Sequence, residues 1–184
     1  MNSQAAHALT VLREADRLHS AEQVSTAYDR LAKEIGVKLK DSNPLVLCVM
    51  IGGMVPTVEI LRRMEYPYEL DYLHATRYRG ETRGSEIVWK VSPSTKLEGR
   101  TVLVIDDILD EGHTLAAIQN AIRAQGVKAL YTAVLVEKLH DRRNPEAKAD
   151  FIGLSVPDRY VFGGGMDYKN RLRFAPGIYA VKGL

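Results

Sequence analysis

The chain contains 184 residues, of which 46% are hydrophobic, and its 25 basic and 23 acidic residues give a formal net charge of +2. This length predicts one domain over residues 1–184 with a sizeable core, and the near-neutral charge favours neither a nucleic acid nor a membrane as a partner. The single cysteine, Cys48, excludes an internal disulfide, and no signal peptide or apolar stretch of about 18 residues is evident, so we expect a cytoplasmic protein.

The spacing of apolar residues predicts alternating helices and strands. In chain order, the predicted elements are helices over residues 3–19 and 21–40, a strand at 45–51, a helix at 55–64, a strand pair at 68–76 and 87–91, a strand at 101–105, a helix at 115–125 and a strand at 129–136. From residue 150 on, abundant Gly, Pro and Asp predict an irregular segment. The alternation indicates an α/β fold with a mostly parallel, twisted sheet flanked by helices, in which ligands bind beyond the carboxyl ends of the strands.

Residues 101–117, TVLVIDDILDEGHTLAA, carry the most informative pattern. An apolar run ends in two adjacent carboxylates, Asp106 and Asp107; Asp110 follows, and a turn with Gly and Thr leads into a helix. Carboxylates can hold sugar hydroxyls or a metal ion, and the N–H groups at a helix N-terminus favour a phosphate. The alternative is an ordinary loop with solvated acids and a capping threonine. Because adjacent like charges after a buried strand usually serve a cation or hydroxyl donors, we favour a site for a phosphorylated sugar.

Residues 102–115 resemble the phosphoribosyl pyrophosphate (PRPP) motif of type I phosphoribosyltransferases. The resemblance implies that Asp106 and Asp107 engage the ribose hydroxyls, directly or through Mg²⁺, and that Asp110 lies beside the reacting base. Glu111 stands where the family commonly has a threonine or another small residue, so its side chain must point away from the phosphate. The residues implied to surround the 5′-phosphate are Asp110, Glu111, Gly112, His113, Thr114 and Leu115.

A second element is Gly52-Gly53, which follows the apolar run LVLCVMI. These glycines could simply form a tight turn between a strand and a helix. The 6-oxopurine phosphoribosyltransferases have a similar strand–x–Gly–Gly element that binds pyrophosphate and is preceded by a cis peptide bond. The resemblance places that bond at Met50–Ile51 and implies that Ile51, which is apolar, contributes only its main chain.

Two further elements are the loop at 77–84 and Lys138. The loop could be a solvated surface segment, but Arg77-Tyr78 resembles the Ser-Tyr segment of a family loop that closes over the site and excludes water. Lys138, at the end of a predicted strand, could be an ordinary solvated charge. The resemblance implies instead that its ammonium donates to the oxygen at position 6 of a purine.

The tail is the fifth element. Its order Pro-Asp-x-aromatic-Val-x-Gly-x-x-x-Asp-Tyr, followed by an arginine, resembles the base-binding hood of hypoxanthine-guanine phosphoribosyltransferases. Tyr160 and Val161 could also be core residues. The resemblance implies that Tyr160 stacks on the purine, that the Val161 backbone contacts the purine edge, that Asp167 binds Mg²⁺, and that Arg173 binds pyrophosphate.

Together, the five elements predict a Mg²⁺-dependent purine-salvage enzyme with a type I phosphoribosyltransferase fold. It would convert hypoxanthine or guanine and PRPP into IMP or GMP and pyrophosphate, with Asp110 managing the proton at N7. We assign residues 1–43 to N-terminal helices, 44–149 to the core and 150–184 to a small hood, and family members commonly form homodimers or homotetramers. The alternatives are a PRPP-sensing regulator that binds nucleic acid and a transferase that prefers xanthine or adenine. The order of preference among hypoxanthine, guanine and xanthine stays open.

Overall fold

The computed structural model describes residues 3–77 and 87–184, which fold into two sheets and their flanking helices. The elements are α1 (Ser3–Glu14), β1 (Asp16–His19), α2 (Ala21–Leu39), β2 (Leu45–Val49), α3 (Met54–Leu61), β3 (Glu69–Arg77), β4 (Ile87–Val91), β5 (Thr101–Leu109), α4 (His113–Arg123), β6 (Ala129–Leu139), β7 (Phe151–Pro157), β8 (Val161–Phe162) and β9 (Ile178–Ala180). No helix within these ranges has both the length and the apolar character that a membrane crossing requires.

The main sheet has six strands in the order β4-β3-β2-β5-β6-β7. All neighbours run parallel except β3 and β4, which form the predicted antiparallel pair. Helices α2 and α3 cover one face of the sheet and α4 covers the other, so β2 is buried on both faces as predicted. Leu31 and Ile35 of α2 are fully buried, and each side chain of this kind contributes about 1.5–3 kcal/mol. The predicted α/β fold is confirmed.

The predicted helix over residues 3–19 is wrong in its last part. Helix α1 ends at Glu14, and β1 pairs antiparallel with β9 in a second sheet of order β1-β9-β8. Ser20 then caps α2: its side chain accepts a hydrogen bond from the Gln23 N–H, while the Gln23 side chain accepts one from the Ser20 N–H. Four residues are too few for the apolar pattern to distinguish a strand from the end of a helix. These residues form a strand because they pair with β9 in the distant tail. The N-terminus and the tail thus build the hood together.

Further boundaries differ from the predictions, among them those of three strands of the main sheet. Strand β5 continues through the acidic residues to Leu109, and β6 continues to Leu139, because each keeps a parallel partner along its whole length. The prediction of an irregular segment from residue 150 on is wrong for β7, which completes the main sheet beside β6. Polar side chains and glycine interrupt the apolar pattern that predicts a strand in these stretches, yet the backbone still forms hydrogen bonds to the neighbouring strands.

Candidate active site

A cleft of about 1000 Å³ opens at the carboxyl ends of β2, β3 and β5 and at the N-terminus of α4. Ligands of open α/β sheets bind at this edge. The cleft is lined by Gly52, by Asp106 and Asp107, and by all six residues of the turn at 110–115. The structure therefore brings the predicted pyrophosphate, ribose and phosphate elements together in one place.

Asp106 and Asp107 lie at consecutive positions of β5, partly buried at the cleft. The Asp107 N–H donates to the Asp106 side chain at 2.8 Å. Burial raises the pKa of both carboxyl groups, and repulsion from Asp107 adds to the effect on Asp106, while the nearby Arg173 guanidinium opposes the rise at Asp107. Two carboxyls held at this electrostatic cost are suited to binding hydroxyl donors or a cation.

The glycine turn after β2 is pressed against these acids. The Met50–Ile51 peptide bond is cis, as predicted. A Cβ atom on Gly52 would lie 1.8 Å from an Asp107 carboxylate oxygen, and one on Gly53 would lie 2.6 Å from the Val49 carbonyl oxygen. Only glycine fits at position 53, and a side chain at position 52 would have to displace Asp107, so the turn presents bare backbone next to the carboxylates.

The turn at 110–115 leads directly into α4. Gly112 has φ +78°, and a Cβ there would lie 2.4 Å from the Ala147 Cβ. The N–H groups of the first helical turn, which includes Thr114, have no acceptor within their own helix and are available to a phosphate. The Glu111 carboxylate lies 3.7 Å from the Arg142 guanidinium and 3.9 Å from the His113 ring. These neighbours were not foreseen from the sequence.

Asp110 lies between two cationic or proton-donating side chains. Lys138 Nζ donates to Asp110 Oδ2 at 2.6 Å, and His140 Nε2 lies 2.8 Å from Oδ1. Burial alone would raise the pKa of Asp110, but the hydrogen bonds from Lys138 and His140 hold it below its usual range. The predicted proton-handling acid and the predicted base-recognising lysine are thus in direct contact, and His140 is an additional member of the cluster.

The hood reaches the same cleft. Arg173 donates to the Gly165 carbonyl at 2.8 Å and pairs with Asp167 at 2.7 Å, so the predicted pyrophosphate and Mg²⁺ ligands contact each other. A Cβ on Gly165 would lie 2.2 Å from the Gly52 carbonyl oxygen, which shows how closely the hood packs on the glycine turn.

The two base-contacting residues predicted in the tail lie next to each other in the hood. The Tyr160 ring is partly exposed and meets the Tyr168 ring edge-on at 5.7 Å, whereas Val161 is buried in β8. Of the predicted covering loop, Arg77 is the last residue of β3, and Tyr78 lies outside the described residues.

Known proteins are similar to this chain in sequence and in fold. Residues 14–171 match the phosphoribosyl transferase domain family. The chain is 31% identical over 166 residues to a hypoxanthine-guanine phosphoribosyltransferase of Bacillus subtilis strain 168, covering 90% of this chain and 92% of the relative. It is 27% identical to a hypoxanthine-guanine-xanthine phosphoribosyltransferase of Tritrichomonas foetus, covering 90% of each. A solved hypoxanthine-guanine phosphoribosyltransferase from Bacillus anthracis superposes with a TM-score of 0.82 at 26% identity, covering 90% of this chain and 96% of that one. The chain therefore belongs to the phosphoribosyltransferase family that its five sequence elements predict.

Proposed function

We propose that the protein transfers the phosphoribosyl group of PRPP to hypoxanthine or guanine, forming IMP or GMP and releasing pyrophosphate in purine salvage. One observation carries the substrate assignment: the Lys138–Asp110 pair, 2.6 Å apart, borders the same turn that offers a phosphate site. A cationic donor beside a carboxylate matches the oxygen at position 6 and the adjacent N7 of a 6-oxopurine. The names of the relatives from Bacillus subtilis and Tritrichomonas foetus support the same substrates.

The sugar phosphate would bind across the floor of the cleft. Asp106 and Asp107 would accept hydrogen bonds from the ribose hydroxyls. The N–H groups of residues 111–115 and the Thr114 hydroxyl would hold the 5′-phosphate at the N-terminus of α4. The proximity of both elements in one cleft supports this arrangement.

The base would bind between the hood and β6. Lys138 would donate to the exocyclic oxygen, Tyr160 would stack on the ring, and the Val161 main chain would contact the purine edge. Asp110 would take the N7 proton as N9 bonds to C1′ and the C1′–oxygen bond to pyrophosphate breaks. The partial exposure of the Tyr160 ring leaves a face for such stacking.

Pyrophosphate would be held by the main chain of Ile51, Gly52 and Gly53 and by Arg173. The absence of a Cβ atom at Gly52 allows its backbone N–H to approach the leaving group closely, whereas the Gly53 N–H donates to the Val49 carbonyl at 2.9 Å. Arg173 lies close enough to Asp107 to oppose the rise that burial causes in its pKa, which supports a place for this guanidinium at the cleft. Covering of the cleft by the loop with Arg77 and Tyr78 stays a prediction.

The residues present fit Mg²⁺. Burial and mutual repulsion raise the pKa of Asp106, so a cation would stabilise the ionised pair, and carboxylate oxygens are the ligands that Mg²⁺ prefers. Asp106, Asp107 and Asp167 would hold the ion directly or through water, with Asp167 exchanging its present partner, Arg173. When bound, the ion would neutralise charge on the pyrophosphate.

We also propose that the protein self-associates as a homodimer or homotetramer and works in the cytoplasm. Leu70 and Tyr72 alternate along β3, and the strand register places Val88 and Val91 of β4 on the same face. All four side chains are exposed, and a group of exposed apolar side chains on one face is typical of a protein interface. The buried location of Cys48, whose thiol pKa burial raises, is consistent with a reducing compartment.

The decisive experiment incubates the protein with PRPP, Mg²⁺ and each of hypoxanthine, guanine, xanthine and adenine, and follows nucleotide formation. We expect IMP and GMP. XMP as the main product would favour the xanthine alternative, which the name of the Tritrichomonas foetus relative keeps open. No nucleotide from any base would refute the proposed function.

A further inference from the structure

His140 holds one side of the Asp110 carboxylate. Its Nε2 lies 2.8 Å from Asp110 Oδ1, while Lys138 Nζ donates to Oδ2 at 2.6 Å. Both partners come from one place in the fold: Lys138 is the second-last residue of β6, and His140 follows the strand directly. Because residues two apart on an extended chain point the same way, both side chains face Asp110, which follows the neighbouring strand β5.

The hydrogen bonds of His140 determine its tautomer. The Arg142 backbone N–H donates to Nδ1 at 3.1 Å, so Nδ1 carries a lone pair. The proton of the neutral ring is therefore on Nε2, and the ring donates it to Asp110. With only 3% of its side chain exposed, His140 is shielded from water that could replace either bond.

The cluster around His140 is better suited to hydrogen bonding than to a metal. Within the described residues, Asp110, His140 and Asp158 bring three possible ligand atoms within 4.8 Å of one another. However, Lys138 already donates a hydrogen bond to the Asp110 carboxylate, and Arg142 binds the Asp158 carboxylate through two hydrogen bonds of 2.8 and 3.1 Å. Both ring nitrogens of His140 are also engaged. A divalent ion would have to displace all of these partners.

We propose that His140 is a positioning residue that keeps the Asp110 carboxylate aimed at N7 of the purine while Lys138 leaves it to bind the exocyclic oxygen. The inference rests on the proposed function. Departure of Lys138 uncovers Oδ2, and a carboxylate held by no second donor would rotate freely about its last side-chain bond. The His140 N–H fixes Oδ1, so Oδ2 faces the N7 proton. His140 itself neither gains nor loses a proton in this step.

The kinetic test compares His140→Ala and His140→Gln with the wild-type enzyme. We expect His140→Ala to lower kcat about 10- to 100-fold with little change in the KM for PRPP, because the acid is displaced and the phosphate and ribose sites are not. Loss of a donor raises the pKa of Asp110, so the acid limb of the kcat profile should move to higher pH. The other charged groups around the pair, namely Lys138, Arg142, Asp158 and Glu111, are unchanged in every variant.

His140→Gln provides the rescue, because its amide can donate to Oδ1 from nearly the same distance as Nε2. The Gln variant should recover part of the wild-type kcat, and the acid limb of its pH profile should return most of the way to the wild-type position. His19→Ala is the matched control, because among the described residues that imidazole bonds only the Ser155 carbonyl, and it should leave kcat and the pH profile unchanged. If His140→Ala does not fold, His140→Gln is compared with His140→Asn, whose shorter amide cannot reach. Wild-type kcat and pH profile in His140→Ala, or equal kcat in the Gln and Asn variants, would overturn the proposal.

A readout independent of activity separates failure of this proposal from failure of the proposed function. Imidazole NMR of the isotope-labelled wild-type protein at neutral pH should show His140 as the neutral Nε2–H tautomer with slow proton exchange. An Nδ1–H tautomer or a doubly protonated ring would overturn the assignment, whatever reaction the protein catalyses.

Discussion

Gly52 and Asp107 touch so closely that a Cβ atom on Gly52 would lie 1.8 Å from an Asp107 carboxylate oxygen. The contact joins the glycine turn after β2 to the acidic end of β5, two elements 55 residues apart in the chain. Gly53 is packed closely against the carbonyl oxygens of neighbouring strands, which opposes a shift of the turn away from β5. A side chain on Gly52 must therefore displace the Asp107 carboxylate.

We therefore predict that Gly52→Ala lowers kcat/KM for PRPP about 100-fold, because about 1 Å of displacement at a positioned group can have this effect. Steady-state kinetics with varied PRPP measure the change, and the melting temperature reports folding. Gly36→Ala in α2 is the control, because its Cβ would lie at an ordinary 3.4 Å from Tyr66. Unchanged kcat/KM in a folded Gly52→Ala variant would contradict the role of this contact.

The raised pKa values of Asp106 and Asp107 predict that these carboxylates lower the stability of the fold at neutral pH while serving substrate binding. A carboxyl whose pKa is higher in the folded than in the unfolded state favours folding most at low pH, and this contribution is lost as pH rises through the folded-state pKa. At neutral pH, Asp106→Asn should therefore raise the melting temperature while abolishing PRPP binding. The difference in melting temperature between variant and wild type should shrink as the pH falls below about 4, near the unfolded pKa of Asp.

Melting curves across pH test this prediction, with Asp41→Asn, an exposed acid, as the control. Saturating Mg²⁺ should raise the melting temperature of the wild type at neutral pH and have less effect on Asp106→Asn. A lower melting temperature of Asp106→Asn than of the wild type at neutral pH would show that the ionised Asp106 carboxylate does not destabilise the fold.

The sequence identified the acidic and glycine elements that line the cleft, but not the ends of the strands that carry Lys138 and the acids. The acids at 106–107 were identified because adjacent like charges after a buried strand are costly, whereas the glycines at 52–53, which could form an ordinary turn, were identified through the family resemblance. The end of β6 was missed because Glu137 and Lys138 interrupt its apolar run, and the parallel partner β7 that keeps this end extended lies in a segment whose glycine and proline suggested a loop.

His140 and Arg142 were missed for the same reason. With β6 ending at residue 136, nothing in the sequence placed His140 two positions beyond Lys138 on the same side of an extended chain. Contacts made by Glu111 depend on how the loop after β6 folds back, since the Asn144 N–H donates to the Glu111 carbonyl at 2.8 Å. Such a contact between distant segments has no signature in a single sequence.

The exposed apolar face on β3 and β4 predicts where copies of the chain meet. Leu70→Asp places a charge on this face and should shift the protein to monomers in size-exclusion chromatography with light scattering, because burying an unpaired carboxylate in an interface is costly. Val37→Asp is the control, since Val37 is an equally apolar, exposed residue on α2. Identical masses for Leu70→Asp and the wild-type oligomer would exclude this face as the interface.

Lys138 predicts which purines are accepted. Its ammonium faces Asp110 now and would donate to the oxygen at position 6 of a bound base, where adenine instead carries an amino group that cannot accept. Lys138→Ala should lower kcat/KM for hypoxanthine and guanine about 10- to 100-fold, the effect of losing a charged hydrogen bond, and leave any activity on adenine nearly unchanged.

Parallel assays with the three bases measure this ratio, and Lys128→Ala, an exposed lysine just before β6, controls for a change in net charge. Loss of Lys138 also removes a partner of the Asp110 carboxylate, so the acid limb of the pH profile should move to higher pH, as in His140→Ala. The shift affects all bases alike, whereas recognition of the exocyclic oxygen affects only two of them. Equal losses on hypoxanthine, guanine and adenine would therefore mean that Lys138 acts only through Asp110 and does not select the base.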